Sequence, residues 1–73
     1  MKLTNEDIKE LYSLDNKEIN SLLDVIIDNM LTSNMQEELY DLLTDNLMEW
    51  FNKNDEPTNL ALIAEKWIDK LTE

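Results

Sequence analysis

The chain contains no glycine and one proline, Pro57, in 73 residues. Without glycine its breaks must be made by residues that cap helices, and Ser, Thr, Asp and Asn are the types that do so. Capping residues divide the sequence into four helical segments.

Thr4 with Asp7 three residues on resembles an acidic capping box and predicts a short helix carrying Ile8, Leu11 and Tyr12 that ends near Ser13. Asp15, followed by Glu18, predicts a second helix running to about Leu31. Its Ile19, Leu22, Leu23, Ile26, Ile27 and Met30 fall at the three-and-four spacing of one apolar face. Ser33 with Gln36 predicts the start of a third helix that reaches about Asn52. Met35, Leu39, Leu42, Leu43, Leu47, Trp50 and Phe51 form its apolar face, widened by Tyr40 and Met48. An arc this broad belongs to a helix that is central in a bundle or packed against another chain. The polar stretch from Asn52 to Glu56 is a loop closed by Pro57, whose fixed φ suits the first turn of a last helix. Leu60, Ile63, Ala64, Trp67, Ile68 and Leu71 make the stripe of that helix.

No segment shows the two-residue alternation of a strand. The expected fold class is all-α, a compact bundle of three main helices plus a short N-terminal one, forming a single domain over residues 1–73. Trp50 and Trp67 lie on apolar stripes and are expected in the core, whereas Val25, Leu31, Met48 and Leu62 are off the stripes and expected to face away from it. A chain of this size has little stability to spare. With no Cys, no His and no glycine for a calcium loop, side-chain packing must supply it, and no metal site or cofactor is expected.

The net charge is −11, from 17 Asp and Glu against 6 Lys and no Arg. Nucleic acid and anionic membranes are held mainly by Lys and Arg, so neither is an expected partner. The apolar run Val25-Ile26-Ile27 and the five-residue run Leu60 to Ala64 are both far short of a membrane span, and Met1-Lys2-Leu3-Thr4 leads into acids rather than a secretory segment. A cytoplasmic location is expected.

The acids are unevenly placed. Glu37, Asp41, Asp45 and Glu49 recur every four residues along the third helix, with Glu38 beside them, and no Lys occurs between Lys17 and Lys53. At this spacing they climb ~6 Å per step in a nearly straight row, and each like-charged pair opposes the helix by ~0.2–0.5 kcal/mol. The last helix, by contrast, mixes Glu65 and Asp69 with Lys66 and Lys70. The candidate partner-binding residues are therefore Glu37, Glu38, Asp41, Asp45 and Glu49, with Tyr40 and Met48 as an apolar anchor beside the row.

An exposed carboxylate row offers no pocket to shift a pKa, and the chain has neither a His or Cys nucleophile system nor a Gly-rich phosphate loop, so an enzyme is not expected. Ser13-Leu14-Asp15 resembles the serine-bearing helix start of acyl carrier proteins. Tyr12 stands where that family has an Asp, and the long helix that should precede the serine has no room, so a phosphopantetheine site is not expected either.

The expected function is that of a small acidic inhibitor that occludes a basic, nucleic-acid-binding surface of a target protein, mimicking the nucleic acid. In size, charge and helicity the chain is similar to phage-encoded anti-CRISPR and anti-restriction proteins, and to colicin immunity proteins. The alternative is a structural or regulatory adaptor that forms a homodimer through the apolar face of the third helix, with acidity only for solubility.

Overall fold

The computed structural model describes residues 1–72 and is a small all-α bundle. Its helices are α1 (Asn5–Tyr12), α2 (Lys17–Asp24), α3 (Ser33–Asn46) and α4 (Asn59–Leu71), and α3 continues as a 3₁₀ turn over Leu47–Trp50. α1 packs on α2, α2 on α3, and α4 on both α3 and the 3₁₀ turn, so α3 is central. With extents of 39 × 21 × 18 Å, the molecule is only about two helix diameters thick, which leaves every helix one solvent-facing side.

Each helix begins at a side-chain cap. The Thr4–Asp7 capping box is present in both directions, as expected. α2 is capped by Asn16 rather than Asp15: the Asn16 side-chain oxygen Oδ1 accepts from the backbone N–H of Glu18 and Ile19 at 3.0 Å each, while Asp15 takes φ 53° in the turn before it. α3 is capped by Thr32 rather than Ser33, its hydroxyl accepting from Met35 N–H at 3.2 Å. α4 starts after Thr58, two residues beyond the expected start, because Pro57 is drawn into a bridge with Phe51 that closes the 52–57 loop.

Two helices are shorter than their apolar periodicity. α2 ends at Asp24 and not near Leu31. The run Val25-Ile26-Ile27 is β-branched, which weakens a helix, and Asp28 and Asn29 then turn the chain at φ 54° and 59°, a conformation that Asp and Asn tolerate better than other non-glycine types. The returning strand-like segment pairs with the N-terminus, Leu3 N–H donating to Asn29 O at 2.8 Å and Leu31 N–H to Met1 O at 2.7 Å. This pairing reverses two expectations, burying Leu31 and leaving Ile27 and Met30 on the surface. α3 likewise stops at Asn46, where the Asn46 side chain donates to Leu42 O, and tightens to 3₁₀ geometry instead of running on to Asn52. The tightening carries the Trp50 indole inward, where its N–H donates to Leu14 O at 3.1 Å.

The core joins Leu3, Leu11 and Leu14 with Ile19, Leu22 and Leu23, Leu31, Leu39 and Leu43, both tryptophans, and Ala61 and Ala64. The two alanines let α4 approach α3 closely, and no polar or charged residue is buried among the described residues. As expected, Trp50 and Trp67 are core, whereas Val25, Met48 and Leu62 are exposed. Among the described residues no helix is long and apolar enough to cross a membrane.

Candidate protein-binding face

α3 buries Leu39 and Leu43 completely and half-buries Met35, Leu42 and Leu47 against its neighbours, so the opposite side must face solvent. Glu37, Asp41 and Asp45 lie on that side and are all exposed. Each four-residue step climbs ~6 Å and turns ~40°, so the three make a gently winding row about 12 Å long. None of their carboxylates forms an ion pair or accepts a hydrogen bond from a side chain among the described residues; the Thr44 hydroxyl donates to the backbone carbonyl of Asp41. Their charges are met by solvent alone.

The other candidates are spread around this row. Glu38 is exposed and turns toward α2, lining a hollow of about 400 Å³ together with Lys17, Glu18, Ser21, Leu22, Val25 and Leu42. Tyr40 is half-buried on the α4 side, where it shares a shallow hollow with Glu37, Asp41, Leu71 and Thr72. Glu49 leaves the row because it falls on the 3₁₀ turn, where three residues per turn replace the 3.6 of the α-helix. It sits instead beside Thr58 and Asn59 at the start of α4, where the helix dipole favours an anion. Met48 is 65% exposed on the same turn, two helical turns from Tyr40, and lines no hollow with it. The structure therefore brings together Glu37, Asp41 and Asp45, flanks them with Glu38 and Tyr40, and sets Glu49 and Met48 apart.

The sequence reading missed a second surface. Val25, Ile27, Met30, Thr32 and Met35 line a hollow of about 200 Å³ in the segment between α2 and α3. Its signal in the sequence is the β-branched run Val25-Ile26-Ile27 directly before Asp28-Asn29, a helix-breaking sequence within an otherwise helical period.

α4 treats its charges differently. Lys66 forms an ion pair with Glu10 of α1, and the same carboxylate accepts the Trp67 indole N–H at 2.7 Å. The Lys66 hydrogen bond, aided by that of Trp67, holds the Glu10 carboxyl below its ordinary value of 4.5 despite some burial. Lys70 places its ammonium 4.6 Å from the centre of the Trp67 ring. Ser13, the serine of the acyl-carrier-like stretch, closes α1, and its hydroxyl donates to Glu10 O rather than standing at a helix start.

Among the described residues no three His, Cys, Asp or Glu side chains are grouped as a metal site would require. Compared with known proteins, the chain matches no family model, no curated protein and no solved structure.

Proposed function

We propose that this chain acts by binding: it covers a basic, nucleic-acid-binding surface of another protein and so keeps nucleic acid from it. The observation that carries this reading is the exposed, unpaired row of Glu37, Asp41 and Asp45 on the central helix, with Glu38 at its flank. Lys and Arg that would hold a phosphate backbone find carboxylates there at regular spacing, and Arg pairs with carboxylate in the same two-pronged way as with phosphate. The long-range attraction of a −11 chain also speeds encounter with a basic surface. In this role the protein is a cytoplasmic antagonist of the phage anti-CRISPR or anti-restriction type, needs no cofactor, and catalyses nothing.

The homodimeric adaptor is less well supported, since α2 and α4 cover the apolar arc of α3 that would form its interface. Sizing chromatography at low and high salt separates the two: a dimer held by apolar contacts persists or tightens with salt, whereas the antagonist stays monomeric and captures its basic partner only at low salt.

The decisive experiment is affinity capture from the native host or its phage-infected counterpart, followed by nucleic-acid binding assays on the captured protein with and without this chain. The variant in which Glu37, Asp41 and Asp45 are all replaced by Gln is expected to keep its helix content and lose capture. Undiminished capture by that variant would remove the role assigned to the row.

A further inference from the structure

The hollow between α2 and α3 is lined by three large apolar side chains outside the core, Val25, Ile27 and Met30, with Thr32 and the half-buried Met35. Val25 is 59%, Ile27 77% and Met30 46% exposed. Single exposed apolar residues are ordinary, but several gathered around one depression mark an interaction surface. The backbone holds them in place: residues 29–31 are hydrogen-bonded to residues 1–3, and the turn between is made at positive φ by Asp28 and Asn29, residue types that accept it readily.

Three features define what fits. At about 200 Å³ the hollow is smaller than the usual small-molecule site, so it suits a single side chain. Two methionines in its wall give an adaptable surface of the kind that accepts varied apolar groups. Val25 also lines the larger adjoining hollow, so the apolar end leads directly to Glu18 and Glu38, with Lys17 the one ammonium there. Beyond Ile27, Lys2 donates to the Asp28 backbone carbonyl, while the Asp24 carboxylate accepts from the Tyr12 hydroxyl, so the free carboxylates of the rim are those of Glu18 and Glu38. A second copy of the chain, or an anionic membrane, would set like charges against this rim. A cationic segment complements it.

We propose that this groove is the anchor of the partner interface: one bulky apolar side chain of a cationic segment seats between Val25, Ile27, Met30 and Met35, while Glu18 and Glu38 pair with that segment's Lys or Arg. The proposal rests on the reading of the acidic row as the docking face for a basic protein, and Glu38 joins the two.

Two synthetic peptides of equal positive charge test it, one alternating Lys with Leu and one alternating Lys with Ser, titrated into the ¹⁵N-labelled full chain. The Lys/Leu peptide is expected to shift the amide signals of Val25, Ile27, Met30, Met35 and Glu38 and to bind about ten-fold more tightly than the Lys/Ser peptide. Ile27→Ser and Val25→Ser, both at surface positions, should each erase most of that advantage without altering Lys/Ser binding. Equal affinity for the two peptides, or an advantage untouched by both variants, overturns the anchor and leaves the acidic row standing. Lys/Leu binding at the groove with no Lys/Ser binding at all supports the anchor and counts against the row. Concentration-dependent self-association abolished by Ile27→Ser would replace the cationic segment by a second copy and overturn the proposed occupant.

Discussion

The outer faces of α3 and α4 are both charged, one with acids alone and one with acids and lysines, and they use that charge to opposite effect. On α4, Lys66 and Lys70 are spent inside the molecule, one on Glu10 of α1 and one over the Trp67 ring of α4 itself. Lys66 with the Trp67 indole fastens the last helix to the first, Trp67 reaching Glu10 across 57 residues of chain. On α3, Glu37, Asp41 and Asp45 form no ion pair among the described residues. Charges that fasten the fold are unavailable to a partner, whereas charges that fasten nothing are free for one. The contrast predicts that mutating the first face costs stability and mutating the second does not.

Trp67→Ala should have the largest effect, because it removes a side chain only 1% exposed together with its hydrogen bond to Glu10. A loss of about 3–5 kcal/mol is expected by chemical denaturation, enough to unfold much of a domain this small. Glu10→Gln should cost about 1 kcal/mol at neutral pH, since its side chain is still 30% exposed and solvent screens part of the ion pair. That difference has a definite pH dependence. The carboxyl titrates lower in the folded chain than in the unfolded one, so its contribution is complete above the ordinary value of 4.5 and fades as pH falls through the lower folded value. Stability of the wild type and of Glu10→Gln should therefore converge in acid, and a constant gap down to the lowest pH would contradict the clamp. Lys70→Gln should cost about 0.5 kcal/mol, the scale of an exposed cation–π contact. Replacing Glu37, Asp41 and Asp45 by Gln should leave the thermal midpoint unchanged or slightly raised, because like charges along one helix are relieved. A clear drop would show that the row holds the fold after all.

What could be read from the sequence follows the range of the interactions involved. The Thr4–Asp7 box and the stripes of α1 and α4 are set within a few residues, and they fold as the spacing indicates. The end of α2 is different. Apolar periodicity continues through Ile26, Ile27 and Met30, and what cancels it is pairing with Met1–Leu3, a contact that no local window contains. The same applies to the site. Glu37, Asp41 and Asp45 stand where a regular helix puts them, but Glu49 is displaced because Trp50 turns inward to the carbonyl of Leu14, 36 residues away. The apolar hollow is a by-product of the same long-range pairing that shortens α2.

The turns bear on the charge itself. Among the described residues four hold positive φ, and three of them, Asp15, Asp28 and Asp55, are aspartates occupying positions where many chains would use glycine. Geometry and acidity are thus coupled: in a chain without glycine, bending and charging are done by the same side chains. A glycine at each of those corners would ease the backbone and make the protein three charges less acidic, without touching α3. Part of the overall acidity therefore belongs to the architecture of the corners. The segregation of charge onto the central helix, rather than the total, is the quantity on which selection for a partner would act.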